Sequence, residues 1–287
     1  MYPSRFRYSA PRTLDEAIAL LAGYGDDAKV LAGGQSLVPL LKLRFAAPAM
    51  LVDINNLPGL DHHREDDDGT LRVGALCRHG DLERSTLLPG RHPLMAAAAP
   101  LVADPIVRNR GTLVGSVCHA DPQGDWAAVM IALGGSIVAQ GPAGRRSIPV
   151  AQFVLGPFQN ALRSGEVAVE AVVPPAKGTA SGTYLQLERR IGDFATAGAA
   201  VALETSGGTV TRAGIALTGV GPATIHAGAA EEALVGKPLT AETIELAATR
   251  AAEAAQPRSD HRGSADFKRH VVATFVRRGL ARELEAA

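Results

Sequence analysis

The sequence predicts a mixed α and β chain in two parts: an α/β unit first, then an α+β unit in which antiparallel strands precede helices. Three observations predict it. Apolar, strand-like runs at 28–32 and 50–54 are separated by helical stretches with glycine or capping punctuation. The pair Pro174-Pro175, followed by Lys177-Gly178-Thr179-Ala180-Ser181-Gly182, breaks the pattern near residue 176. Beyond that break, three strand-like runs are followed by three helical ones.

The elements follow in order. Thr13-Leu14-Asp15-Glu16 reads as a capping box, with the Thr13 hydroxyl at the N-cap and Glu16 returning to it, and it opens an amphipathic helix that Gly23-Tyr24-Gly25 ends. A buried strand at 28–32 meets Gly33-Gly34, and a short helix at 36–42 precedes the strand 50–54. After Leu57-Pro58-Gly59, the acidic run Glu65-Asp66-Asp67-Asp68-Gly69 reads as a solvated turn, because it lacks the alternating ligand spacing of a calcium loop. A strand at 71–76, short helices at 80–85 and 93–99, and a loop around Thr112 come next. Asp125-Trp126 opens an apolar helix to about residue 133, a hairpin covers 136–139 and 146–149, and a strand covers 167–173. Beyond the double proline, strands are expected at 183–188, 197–203 and 210–217, with helices near 227–234, 241–254 and 264–285. The last of these repeats Phe267, Val271, Phe275 and Leu280 at helical spacing beneath a basic face.

Composition narrows the function. A chain of 287 residues with 46% hydrophobic content has ample core for about two domains. Its 29 Lys+Arg balance 29 Asp+Glu, so no overall positive field gathers nucleic acid, and nucleic acid is excluded as a partner. The opening Met1-Tyr2-Pro3-Ser4-Arg5-Phe6 has no apolar signal core, and no run approaches the length of a membrane span, so a cytoplasmic location is expected. The two cysteines, Cys77 and Cys118, are too few for an iron–sulfur cluster or a four-cysteine zinc site, so any such chemistry belongs to a partner. Two buried thiols are the expected state. No metal-ligand set and no acid–base pair stands out.

Two stretches carry ligand chemistry. In the first, Leu31-Ala32-Gly33-Gly34-Gln35-Ser36-Leu37, a strand stops at two glycines before a helix start, which allows close backbone approach to an anion. In the second, Thr112-Leu113-Val114-Gly115-Ser116 follows Arg110-Gly111 and is again small and hydroxyl-rich. Each alone reads equally as a tight turn. Neither follows G-x-G-x-x-G or ends in G-K-[ST], so a dinucleotide-binding Rossmann unit and a P-loop are excluded.

Together with Val107-Arg108-Asn109-Arg110 before the second stretch, His119-Ala120-Asp121-Pro122 and Asp125 after it, Arg189-Arg190-Ile191-Gly192-Asp193-Phe194-Ala195, Gly219-Val220-Gly221-Pro222 and Phe267-Lys268-Arg269-His270, these stretches resemble the FAD-binding medium subunit of molybdenum hydroxylases, the family of the carbon monoxide dehydrogenase medium subunit and the xanthine dehydrogenase FAD subunit. The resemblance covers essentially the whole chain. It implies a two-lobed FAD-binding domain of the vanillyl-alcohol oxidase/PCMH type at 1–176, with lobes at about 1–56 and 57–176. A C-terminal α+β domain with a three-stranded antiparallel sheet would occupy 177–287. It also implies a site: Leu31 through Leu37 and Thr112 through Ser116 on the FAD pyrophosphate, Asp125 on a ribitol or ribose hydroxyl, and Phe194 against the isoalloxazine ring. Left open beside these are Asp125 as the N-cap of the Trp126 helix and Phe194 as plain core packing. Asp193 and Arg190 would fix their loop by a salt bridge. Departures are Gln35 and Asp104 where His is frequent, Val114 where Gly is usual, and Phe194 where Tyr is common.

The implied function is that of an electron-transfer subunit in a heterotrimer, itself paired into a heterohexamer. A small subunit with [2Fe–2S] clusters and a large subunit with the molybdenum cofactor would be its partners, and an external acceptor would take the electrons. The alternatives are a stand-alone FAD-dependent oxidoreductase and a structural subunit without flavin.

Overall fold

The computed structural model describes residues 2–286. The first lobe comprises β1 (Arg7–Ser9), α1 (Leu14–Tyr24), β2 (Ala28–Leu31), α2 (Leu37–Lys42) and β3 (Met50–Asp53). Its sheet is parallel in the order β1-β3-β2, with Met50 opposite both Arg7 and Ala28. Helices bridge the successive parallel strands, as such pairings require. Thr13 caps α1 by accepting from Glu16 N at 3.2 Å, but the Glu16 carboxylate returns to the amide of Arg12, one residue earlier than a capping box would place it.

The second lobe begins with β4 (His63–Glu65), β5 (Leu71–Gly74), α3 (His79–Glu83), α4 (Leu88–Arg91), α5 (Pro93–Ala98), α6 (Pro105–Arg108), α7 (Leu113–His119) and α8 (Asp125–Ala132). It closes with β6 (Ser136–Gly141), β7 (Gly144–Pro149), α9 (Val150–Phe153), the small hairpin β8 (Val154–Gly156) and β9 (Gln159–Asn160), and β10 (Val167–Val173). Its antiparallel sheet runs β4-β5-β10-β6-β7. The stretch after Thr112 is not the expected loop: Thr112 caps a helix, its Oγ1 accepting from Gly115 N at 3.1 Å. The core decides this, since Leu113, Val114 and Val117 bury their side chains on one helical face.

The C-terminal part contains β11 (Thr179–Leu187), β12 (Ala197–Ser206), β13 (Thr209–Thr218), β14 (Ile225–His226), α10 (Gly228–Glu232), α11 (Ala241–Ala254) and α12 (Ala265–Ala286). Its antiparallel sheet, β11-β12-β13-β14, has four strands rather than three, because two-residue β14 extends the edge, a length too short to leave a pattern in sequence. The residues that follow the double proline are likewise part strand, with Thr179 through Gly182 already paired to β12, ahead of the expected start at 183.

The central strand β12 is buried on both faces. Ala200 and Ala202 point into the core shared with the second lobe, while Ala199, Val201 and Leu203 point into a separate core roofed by α11 and α12. That double burial explains its almost unbroken apolar sequence. The small residues on the first face let α8 lie close across β12 and β13. The end of α8 is closed by Gly134 in the left-handed conformation, with Gly135 N donating to the Met130 carbonyl at 2.7 Å and Gly134 N to Ile131 at 2.9 Å. Arg212 of β13 donates to the Ala132 carbonyl at 2.7 Å, and a Cβ on Gly214 would overlap that same carbonyl. Gly214→Ala is therefore expected to destabilise the fold by about 2–3 kcal/mol, read as a lowered denaturant midpoint with an unchanged m-value.

Candidate functional site

The glycine turn after β2 is packed against the second stretch. A Cβ on Gly33 would overlap the Arg110 carbonyl oxygen and stand 2.8 Å from Gly111 Cα, so only glycine permits this approach. Gly34 has φ +76°, in the left-handed region. Across the junction, Arg78 donates to the Arg110 carbonyl at 2.7 Å and to Asn55 Oδ1 at 2.6 Å, and Asn55 Nδ2 donates to the Ala32 carbonyl at 2.9 Å. One guanidinium thus ties the backbones on both sides of the contact. Below it, His79 N donates to the Gly111 carbonyl at 2.9 Å, and Trp126 Nε1 donates to His79 Nδ1 at 3.0 Å. Burial pushes the His79 imidazole down to about 4, so it is neutral and can accept that bond.

Asn55 is held by Asp53, which accepts from Asn55 N at 2.9 Å and from the Tyr8 hydroxyl at 2.6 Å. Burial alone would raise the Asp53 carboxyl, but these hydrogen bonds outweigh it and hold the group below its ordinary value.

The predicted residues fall into two sets by exposure. Leu31, Gly33, Gly34 and Gln35 line a cleft of about 570 Å³, together with Val38, Lys42 and Arg110. Ala32 and Leu37 are half-buried beside it, and Ser36 makes no capping bond to α2, which leaves its hydroxyl free to meet a ligand. In the second stretch, Thr112, Leu113 and Val114 are buried, with the Thr112 oxygen engaged at its cap. Gly115 and Ser116 reach the surface. Val114 in place of a glycine is thus a core contact rather than a loss of backbone freedom at the cleft.

Farther along, Ser116 lies beside Gly124, the true N-cap of α8. Asp125 is therefore not the cap. It is the first helical residue, and its Oδ1 accepts from the Tyr184 hydroxyl at 2.5 Å, across the seam to β11. Its Oδ2 has no partner among the described residues and can bond a ligand hydroxyl. Thr218 Oγ1 donates to the Gly124 carbonyl at 2.9 Å, and Gln123 Nε2 donates to the Ala195 carbonyl at 3.2 Å, which carries the line of contacts to Phe194. Phe194 is 48% exposed, so the core-packing reading does not hold. Nor does the Asp193–Arg190 pair: Asp193 bonds Arg262 at 3.0 Å. Asp104, at the position where His is frequent, caps α6 by accepting from Val107 N at 2.8 Å. Cys77 and Cys118 are free thiols, Cys77 buried and Cys118 half-buried.

Sequence reasoning missed Asn55, Arg78, Tyr184 and Arg262. Asn55 stands just past the predicted strand 50–54. Arg78, between two residues that are themselves buried, left no pattern, and the partners of Tyr184 and Arg262 lie 59 and 69 residues away.

The Asp125 carboxyl is pushed up to about 7 by burial and by the nearby Glu188 and Asp121 charges, against the Tyr184 bond. The folded state therefore holds this proton more tightly than the unfolded chain. Its contribution to stability is complete below about pH 4 and is lost as pH rises through about 7. Without added ligand, unfolding free energy should fall by on the order of 1–3 kcal/mol from this group between pH 5 and 8. Asp125→Asn should remove that part of the slope, as urea titrations at the two pH values would read.

Comparisons with known proteins give the family of the chain. Residues 4–176 match the model of the FAD binding domain in molybdopterin dehydrogenase, and residues 182–282 match the CO dehydrogenase flavoprotein C-terminal domain. The chain is 44% identical over 281 residues to the carbon monoxide dehydrogenase medium chain of Hydrogenophaga pseudoflava, covering 98% of this chain and 97% of that one. It is 38% identical to the 6-hydroxypseudooxynicotine dehydrogenase complex subunit alpha of Paenarthrobacter nicotinovorans, covering 100% and 97%. A chain from the solved structure of Hydrogenophaga pseudoflava carbon monoxide dehydrogenase superposes with a TM-score of 0.94 at 46% identity, covering 98% of each. The chain therefore belongs to the FAD-binding flavoprotein family of the molybdopterin dehydrogenases, and it is an oxidoreductase subunit of the medium-chain type.

Proposed function

We propose that this chain binds FAD non-covalently at the junction of its two lobes and serves as the electron-exit subunit of a heterotrimeric molybdenum hydroxylase. The observation that carries the reading is the packing of Gly33 onto Arg110–Gly111, a contact too close for a Cβ that brings the two stretches together as one cradle. The donor set fits a pyrophosphate. Gly33 and Gly34 line the cleft with Arg110 and Lys42, which bring positive charge to it, and half-buried Ser36 and Ser116, outside its lining, offer hydroxyls. Asp125 Oδ2 suits a ribitol or ribose hydroxyl, and exposed Phe194 suits the face of a flat ring.

FAD, when bound, supplies the capacity to take up single electrons and release pairs. The chain's own residues bind and orient. Asp125 can hold a proton near neutral pH within the line of site residues, and Phe194 offers an exposed aromatic face. Under this reading, electrons come from [2Fe–2S] clusters of a small partner subunit, after substrate oxidation at a molybdenum cofactor in a large one, and pass to an external acceptor. Residues 1–176 form the FAD-binding domain, residues 177–287 the C-terminal domain, and the assembly is a dimer of heterotrimers in the cytoplasm. Among the described residues no helix is long and apolar enough to cross a membrane.

The test is uptake of FAD followed by absorbance near 450 nm, where oxidised flavins absorb, with co-purification from the source. Wild-type protein is expected to bind FAD and to bring iron–sulfur and molybdenum subunits with it. Gly33→Ala should weaken FAD binding at least about tenfold, equivalent to about 1.4 kcal/mol, with the fold retained by far-UV circular dichroism. Equal uptake by both forms would refute the cradle.

A further inference from the structure

The motif Phe267-Lys268-Arg269-His270 contributes to the family likeness, yet none of its residues lines the candidate site. Lys268 is the unusual member. Its side chain is only 4% exposed, and a buried ammonium needs partners. It has two, donating to Asp260 Oδ2 at 2.7 Å and to the Arg258 carbonyl at 3.0 Å.

Asp260 in turn shapes a tight turn. Its amide and carbonyl exchange hydrogen bonds with Gly263 at 3.0 and 3.2 Å, and its Oδ1 accepts from Arg262 N at 2.8 Å. The Arg262 side chain, 13% exposed, then reaches the loop that carries Phe194. Its Nη2 donates to Asp193 Oδ1 at 3.0 Å and its Nη1 to the Phe194 carbonyl at 2.7 Å. Elsewhere the loop is held by Gln123, which donates to the Ala195 carbonyl at 3.2 Å, and by the packing of Gly192 against Ala103 and Asp104. Ile191 at its tip is 93% exposed, and its own bonds are those of Asp193 N to the Arg190 carbonyl, Gly192 N to Glu188 and Phe194 N to Asp193. Arg262 holds the Asp193 carboxyl below its ordinary value, and Lys268 does the same for Asp260, so both carboxyls are ionised at neutral pH.

We propose that Lys268 and Arg262 are positioning residues for the flavin: through Asp260 and Asp193 they transmit the placement of α12 to Phe194. This rests on the FAD reading above and assigns a task to a motif that the site itself does not use. Ion pairs of this kind add little stability at an exposed surface, but a bidentate guanidinium on a carboxylate and a carbonyl fixes geometry.

The test compares the full chain as wild type, Lys268→Met, Asp260→Asn, Arg262→Gln and Arg262→Lys, with FAD as the probe and Arg250→Gln as a surface control. Amide hydrogen exchange across 190–196 is expected to rise about tenfold in Lys268→Met, Asp260→Asn and Arg262→Gln. The FAD dissociation constant should rise about three- to tenfold in the same variants, and the visible circular dichroism of bound flavin should change. Arg262→Lys should restore part of each effect. Should Lys268→Met fail to fold, Asp260→Asn breaks the same link from the surface. Unchanged exchange at 190–196 in Arg262→Gln would overturn the relay. Faster exchange with unaltered flavin affinity and dichroism would overturn its bearing on the flavin. Wild-type protein that takes up no FAD would instead bring down the flavin reading, while the exchange comparison still decides whether the relay holds the loop.

Discussion

The rest of the structure depends on one close approach, that of the Gly33 backbone to Arg110 and Gly111. Two lobes of different architecture, one a parallel sheet and one antiparallel, meet there through main chain, beside a hydrophobic core that runs through both. Main chain in contact with main chain leaves carbonyls to be satisfied, and Arg78 and Asn55 satisfy those of Arg110 and Ala32. The same bonds that stabilise the junction also set the spacing of the two stretches. Fold and site therefore share one constraint, and a change at Arg78 or Asn55 acts on both.

A comparable economy governs the seam with the C-terminal sheet. Because β12 is buried on both faces, the residues facing α8 must be small, and alanines and glycines supply that face. Close packing brings Tyr184 within reach of Asp125, so a part-buried carboxyl of the site is held by a residue from the other side of the seam. Burial raises the cost of ionising that carboxyl, while the phenol bond lowers it. The balance leaves a group that changes charge near neutral pH, which neither residue would do alone in water.

What was legible in the sequence follows from the range of the forces involved. Periodicity and turn chemistry are local, so the strand 167–173 and the helix 241–254 are read with the bounds they have, and Thr13 is recognisable as a cap. Very short elements carry no period. The three-residue strands at Arg7 and His63, the two-residue strand at Ile225 and the four-residue helix at Pro105 could not be seen. The helix after Thr112 was hidden for a different reason: glycine and serine lower helix propensity there, and burial of Leu113, Val114 and Val117 overrides it. In the candidate site, the glycines were legible because their chemistry is intrinsic. Asn55, Arg78, Tyr184 and Arg262 were not, because a long polar side chain looks the same in sequence whether it points to water or across a domain seam.

The last consequence is electrostatic. With equal numbers of acidic and basic residues, the chain has no net field to draw a polyanion, and a pyrophosphate site must be charged locally. The two arginines at the junction divide this work. Arg78 is engaged by Asn55 and the Arg110 carbonyl, and burial together with the neighbouring Arg110 charge pushes its guanidinium down from its ordinary value without discharging it near neutral pH. The Arg110 guanidinium, by contrast, makes no hydrogen bond or ion pair among the described residues, and it faces the glycine cleft with Lys42. The Arg110 charge also acts on the Asp53 carboxyl, which it helps to hold below its ordinary value, and a diphosphate in the cleft would add a second counter-charge. Positive charge is thus gathered locally at this cleft in a chain with no net charge, which suits the anionic group proposed for it.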